Sequence, residues 1–130
     1  MKLFPWKKDR EFFTTAQKEA ILAAIKVAEQ RTSGEVRLFV ESKCHMVNAL
    51  DRAAEVFAQL KMDKTDERNA TLVYIAMDDR QAAVFGDEGI HQKVGQQYWE
   101  DEIKKMLLYF QNEHLVDGIV QCIHDIGDAL

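Results

Sequence analysis

A chain of 130 residues has the length of one domain and is long enough to bury a core. Its composition, 47% apolar and 30% charged, excludes a disordered or membrane-embedded chain. A formal net charge of -5 argues against a role built on nucleic-acid backbone contacts, which need concentrated Lys and Arg, and is compatible with cation binding.

The two cysteines, Cys44 and Cys122, form no CxxC pair and no metal-ligand spacing. Neither a structural zinc site nor a disulfide framework is implied. The opening, Met1 to Arg10, lacks the apolar run of a signal peptide, and no stretch has the apolar length needed to span a bilayer. Cytoplasmic residence is the expectation. Residues 1–11 read as an N-terminal arm in which Phe4, Pro5 and Trp6 precede Lys7, Lys8 and Arg10. Such an arm suits docking through its aromatics, or simple disorder, better than membrane contact. Residues 12–130 read as a single domain, with no repeat, low-complexity tract or dividing linker.

The first helix is expected from about Thr14 to Arg31. Thr14 with Gln17 fits a capping box, and Ile21, Ala24, Ile25 and Ala28 make one apolar face. Thr32-Ser33-Gly34 supplies turn chemistry. Glu35 to Glu41 then alternates, with Val36, Leu38 and Val40 on one face of a strand and Arg37, Phe39 and Glu41 on the other. A second helix is expected over roughly Val47–Leu60, its buried stripe being Leu50, Ala53, Ala54, Phe57 and Leu60. Asp63 to Asn69 reads as a loop.

Thr71 to Met77 is nearly all apolar and short, which favours a central strand. Asp78-Asp79-Arg80 makes a turn, and Gln81 to Phe85 a third strand antiparallel to the second. The remainder is helical. Trp99, Ile103, Met106, Leu107 and Phe110 form one stripe, and Leu115, Ile119, Cys122, Ile123 and Ile126 another, with Asn112 as a cap between them. The order α-β-α-β-β-α-α predicts a three-layer α/β sandwich. Its small mixed sheet has a parallel β-α-β unit and one antiparallel strand, with helices on both faces.

Several segments together carry a family resemblance: Phe12-Phe13-Thr14; Thr32-Ser33-Gly34-Glu35-Val36-Arg37; Arg68-Asn69-Ala70-Thr71-Leu72-Val73-Tyr74-Ile75-Ala76; and Asp79-Arg80 with Ala83-Val84-Phe85-Gly86-Asp87-Glu88-Gly89-Ile90. In order and spacing they resemble the TPM domain over about Phe12 to Ile126. The resemblance implies a mixed sheet between helices. It also links the chain to a family whose plant thylakoid members are associated with photosystem repair and acid phosphatase activity, and some bacterial members with divalent-metal binding. Many members are secreted or membrane-anchored. The Gly86-Asp87-Glu88-Gly89 exit here replaces the more glycine-rich exit common in the family.

Strand direction sorts the loops onto two edges. One gathers Glu35, then Glu67, Arg68 and Asn69, then Asp87 and Glu88. Glu35, Glu67, Asp87 and Glu88 offer carboxylate oxygens and Asn69 an amide oxygen, the hard donors that calcium or magnesium takes. Arg68 and the start of the next helix suit a phosphate oxygen. The expectation is a divalent-cation site, with metal-assisted hydrolysis of a phosphate ester as its enzymatic extension and Asp87 as the candidate catalytic residue. The same residues also fit solvated loops, a turn made by Asn69 and a helix start favoured by Glu88. The alternative function is a non-enzymatic protein-interaction domain that meets an unknown protein partner through its helical faces. The other edge carries Ser42, Lys43, Cys44 and His45 with Asp78, Asp79 and Arg80. Cys44 and His45 are strand neighbours and point to opposite faces, which disfavours a nucleophile–base pair. His91, His114 and His124 show no paired metal-binding spacing, and Tyr98 and Trp99 read as core anchors.

Overall fold

The computed structural model describes residues 12–32, 34–46, 48–111 and 114–130. The arm at 1–11, Ser33 and the Asn112 cap lie outside them.

The elements run α1 (Thr15–Gln30), β1 (Val36–Glu41), α2 (Ala49–Gln59), a 3-10 turn (Met62–Lys64), β2 (Thr71–Ala76), β3 (Gln81–Gly86), α3 (Glu88–Val94), α4 (Gln96–Gln111) and α5 (Leu115–Ala129). Thr14 caps α1 through the full capping box with Gln17, satisfying two amide groups the first turn leaves open. Asn48 caps α2 by accepting from the Asp51 amide at 2.9 Å. The helical stretch after β3 begins with a separate short helix: α3 ends at Gly95, whose φ of 81° turns the chain into α4 at little steric cost.

The sheet order is β1-β2-β3. Val36 to Glu41 pair in parallel with Thr71 to Ala76, and Thr71 to Ala76 pair antiparallel with Gly86 to Gln81. Every residue of β2 is buried, so both sheet faces need cover. Alternation divides the side chains between two cores. Val73, Ile75, Val84 and the β1 residues Val36, Leu38 and Val40 join Ile21 and Ile25 of α1, Ile90 of α3, Trp99 and Met106 of α4, and Ile119, Ile123 and Ile126 of α5. Leu72, Tyr74, Ala76 and Ala83 join Ala53, Val56 and Phe57 of α2 and Met62 of the 3-10 turn. Each fully buried Ile or Leu stabilises this arrangement by about 2 kcal/mol.

The expected stripe of α2 needs correction. Ala53 and Phe57 are buried as expected, but Ala49 and Val56 take the other inward positions, while Leu50 is 45% exposed. The helix is rotated so that Ala49 and Ala53 share a core with Ala83 of β3, while Leu50 lines the cavity beside the exit of that strand.

Candidate functional site

The loop before β2 and the exit of β3 meet at one rim of the sheet. Gly89 makes that approach workable: a Cβ there would lie 2.1 Å from the Glu67 carbonyl oxygen and 2.7 Å from that of Arg68. The Gly89 amide donates to the Arg68 carbonyl at 2.9 Å, and the Ile90 amide reaches the same oxygen at 3.3 Å. The Asp87 amide donates to the Ala70 carbonyl at 2.9 Å. Arg68 itself adopts a left-handed conformation, φ 52°, which costs a residue with a Cβ about 1–2 kcal/mol. The loop's hydrogen bonds to the start of α3 hold it there.

Asp87 is the centre of this rim. Its residue is 4% exposed, yet its carboxylate accepts Arg68 Nε at 2.7 Å, Arg68 Nη2 at 2.8 Å and the Glu88 amide at 2.8 Å. Arg68 Nη1 lies 3.3 Å from Glu88 Oε1. The guanidinium therefore sits between two carboxylates in a two-point clasp. Its pKa is raised, first by the hydrogen bonds to Asp87. A cavity of about 320 Å³ opens beside this clasp, lined by Arg68, Asp87, Glu88, His91, Trp99 and Leu50 among others. His91 Nδ1 accepts from Trp99 Nε1 at 2.9 Å.

The remaining expected donors stand apart from the clasp. Glu67 and Asn69 line a second cavity of about 250 Å³ with Thr32, Gly89 and Lys93. Glu35 pairs with Arg37 at 2.7 Å. Among the described residues no group of three or more His, Cys, Asp or Glu side chains is arranged to hold a metal ion. The rim is thus not a ready-made metal centre: Arg68 fills the place between Asp87 and Glu88.

The opposite edge holds a polar network that sequence patterning does not single out. Glu41, at the end of β1, accepts from Arg52 Nε at 2.8 Å and Nη2 at 3.0 Å and from the Tyr74 hydroxyl. Arg52 also reaches Glu55 and lies over the Phe39 ring, 5.7 Å from its centroid. Burial pushes the Glu41 pKa up, but the bonds from Arg52 and Tyr74 together outweigh it and leave the pKa lowered. Tyr74 is raised, by burial first and then by the Glu41 carboxylate. The signal was present: a tyrosine in an otherwise aliphatic buried strand needs a partner for its hydroxyl. Cys44 is half-buried; its amide donates to Asp79 Oδ2 at 2.7 Å, and its sulfur faces the Met46 and Asn48 carbonyls. His45 is exposed and forms no hydrogen bond with Cys44. Arg80 occupies the hairpin turn with φ 51° and lies over Phe110.

A three-stranded mixed sheet between helices, with a loop clasped to the exit of its antiparallel strand, defines a small α/β domain with a charged rim. Residues 7–129 match the family model described as the TPM domain, and the chain belongs to that family. Its fold is similar to the solution structure of the BA42 protein from the psychrophilic bacterium Bizionia argentinensis. That likeness has a TM-score of 0.84 and 36% identity, covering 95% of this chain and 84% of that one. It is also similar to the N-terminal domain of the cg2496 protein from Corynebacterium glutamicum, with TM-score 0.73 and 10% identity over 95% of this chain and 76% of that one. The N-terminal domain of a P. gingivalis protein gives TM-score 0.75 and 13% identity over 91% and 76%. The latter two likenesses bear on the fold alone. No curated protein matches the chain significantly. Among the described residues no helix is long and apolar enough to cross a membrane.

Proposed function

We propose that this TPM domain binds a divalent cation, calcium or magnesium, at the rim carried by Asp87 and Glu88, in exchange for the guanidinium of Arg68. The observation that supports the reading is the convergence of both carboxylates on one positive charge, Arg68 reaching Asp87 at 2.7 and 2.8 Å and Glu88 at 3.3 Å. A rim that already stabilises a cation between two carboxylates offers hard oxygen donors to a metal ion able to displace the side chain. Glu67 and Asn69, across Gly89, and Glu35 complete the expected donor set only through rearrangement of the loop before β2. Phosphate-ester hydrolysis is the finer reading of the same rim, with Arg68, once released, available to the phosphate. It requires Asp87 to be freed, because Arg68 and the Glu88 amide already occupy both of its carboxylate oxygens.

The test is a titration of calcium and magnesium into the wild type and Asp87→Asn, followed by melting temperature and heat. A ligand of the native state raises the melting temperature, so a rise is expected in the wild type and none in the variant. No rise at roughly 10 mM, well above the weakest calcium affinities known for protein modules, overturns the reading. A generic phosphate-ester assay with Asp87→Ala as control tests hydrolysis, and turnover unchanged in that variant excludes this rim as its site.

A non-enzymatic interaction module is the second reading. It is favoured by a trough of about 650 Å³ between α2 and α4 along β3, with Ala49, Leu50, Trp99 and Ile103 in its walls.

A further inference from the structure

The sheet has two outer strands, and their free edges differ. β1 carries Arg37 and Glu41 along its length, and its outward amide at Val36 donates to the Glu29 carboxylate at 3.1 Å. Charged side chains and capped amides of this kind blunt a strand edge. β3, the other edge, reads Gln-Ala-Ala-Val-Phe-Gly. It carries neither a charge nor a proline, so nothing in its sequence blocks a further strand.

Hydrogen bonding alternates along an antiparallel pair. The Asp87 amide donates across to the Ala70 carbonyl. In the register of the two strands, the bonds of β3 to β2 therefore run through Phe85, Ala83 and Gln81, and Ala82, Val84 and Gly86 turn their N–H and C=O groups outward. Among the described residues, the outward groups of Ala82 and Val84 meet no partner. Val84 is 3% exposed, and backbone groups that are both buried and unpaired are rare in native proteins.

The trough of about 650 Å³ runs over this edge. Ala82, Ala83 and Val84 form its floor, Leu50 of α2 walls one side, and Trp99 and Ile103 of α4 wall the other. The two alanines leave open the space that larger strand residues would fill. Leu50, Val84, Gln96 and Trp99 also line the cavity beside the Arg68 clasp, so the groove continues past Gly86 to the rim. Its length from Ala82 to Gly86 matches about five extended residues.

We propose that the outer edge of β3 takes an extended peptide of a partner protein as a fourth strand between α2 and α4. This rests on the interaction reading, to which it gives a partner of defined chemistry, and it needs no cation at the rim. Backbone pairing with Ala82, Val84 and Gly86 aligns the peptide, as in other cases of strand addition. Side chains of the added strand alternate between faces. Those level with Ala82 and Val84 turn to Trp99 and Ile103, because Val84 packs in the core on that side. Those level with Ala83 and Phe85 turn to α2 and cover Leu50, which is 45% exposed. The peptide is therefore apolar on both faces at its centre. At the end over Gly86 it carries Lys or Arg: two carboxylates stand there against one guanidinium, and the Glu88 side chain is 63% exposed.

The experiment selects binders to the full chain from a displayed library of random heptapeptides and follows one synthetic selected peptide by amide NMR. The amide protons of Ala82 and Val84 should move downfield and exchange more slowly with water, while Val36 of β1 stays fixed. Ala82→Pro removes one outward amide and keeps the bonds to β2, at an edge position that tolerates proline. It should weaken binding about fivefold, the share of one net hydrogen bond. Leu50→Glu, at an exposed position, should also weaken binding without disturbing the fold. The same peptide N-methylated at the nitrogens that face β3 should not bind. Failure to select any peptide that shifts Ala82 and Val84 overturns the proposal. Binding that survives N-methylation overturns strand addition and leaves the interaction reading standing. Slowing of Val84 exchange that grows with protein concentration in the absence of peptide assigns the edge to a second copy of the chain and likewise overturns it.

Discussion

Arg68 and Asp87, 19 residues apart, form a two-point ion pair, Nε to Oδ2 at 2.7 Å and Nη2 to Oδ1 at 2.8 Å. It joins the loop before the central strand to the exit of the last one. The carboxylate side chain is 5% exposed and the guanidinium side chain 41%. The two partners are therefore unequal in what their removal leaves behind.

That inequality predicts an order of effects. Asp87→Ala leaves a guanidinium that water can reach, so its cost is mainly the lost helix cap and clasp, about 1–2 kcal/mol. Arg68→Ala leaves a buried carboxylate short of its counter-charge and should cost more than Asp87→Ala. Denaturant unfolding of the two variants measures this. Equal midpoints for Arg68→Ala and the wild type would show that the clasp contributes nothing.

Gly89→Ala tests the seat of the same loop. A Cβ 2.1 Å from the Glu67 carbonyl oxygen meets backbone, which cannot swing aside as a side-chain end can. Overpacking of this kind costs about 1–3 kcal/mol. The backbone amide resonances of residues 65–69 should shift along with the loss of stability. Wild-type stability with unmoved resonances would mean that the loop adjusts freely.

Much of this architecture was legible because local rules and tertiary packing agree. Thr14 and Gln17 declare the start of α1, and the unbroken apolar run from Thr71 declares a strand buried on both faces. Leu50 misled because helical periodicity gives a face but not its rotation against the sheet, and the small Ala49 and Ala53 fit closer to β3 than a leucine would. At the rim, strand direction correctly brought Arg68, Asp87 and Glu88 together. It carried no information on which charges would pair, so Arg68 read as a phosphate ligand rather than as the partner of Asp87.

The Tyr74–Glu41–Arg52 network sets the response to acid. The Glu41 pKa is lowered in the native state. Its contribution is present above the ordinary carboxylate value and is lost as pH falls through the native one. Tyr74→Phe removes one donor, should cost about 1–2 kcal/mol at neutral pH, and should move the acid-unfolding midpoint to higher pH. An unmoved midpoint would separate Glu41 from acid stability.

Around α2, Leu50→Ala should change stability by about 0.5 kcal/mol or less, as surface substitutions do. Phe57→Ala should cost about 3–5 kcal/mol, since Phe57 is 5% exposed and packs on Phe85 with ring centroids 4.8 Å apart. Thermal melts of the two proteins give the comparison. A large loss in Leu50→Ala would place that side chain in the core after all.

The most direct measurement for cation exchange at the rim is the Nε–Hε resonance of Arg68 during a calcium titration of the wild-type protein. If the metal takes Arg68's place, that proton leaves the Asp87 carboxylate. Its signal should then move and exchange faster with water in proportion to saturation, together with the Glu88 amide. A resonance that stays fixed while calcium reaches concentrations that saturate the protein elsewhere, or that fails to respond at any concentration, contradicts the account.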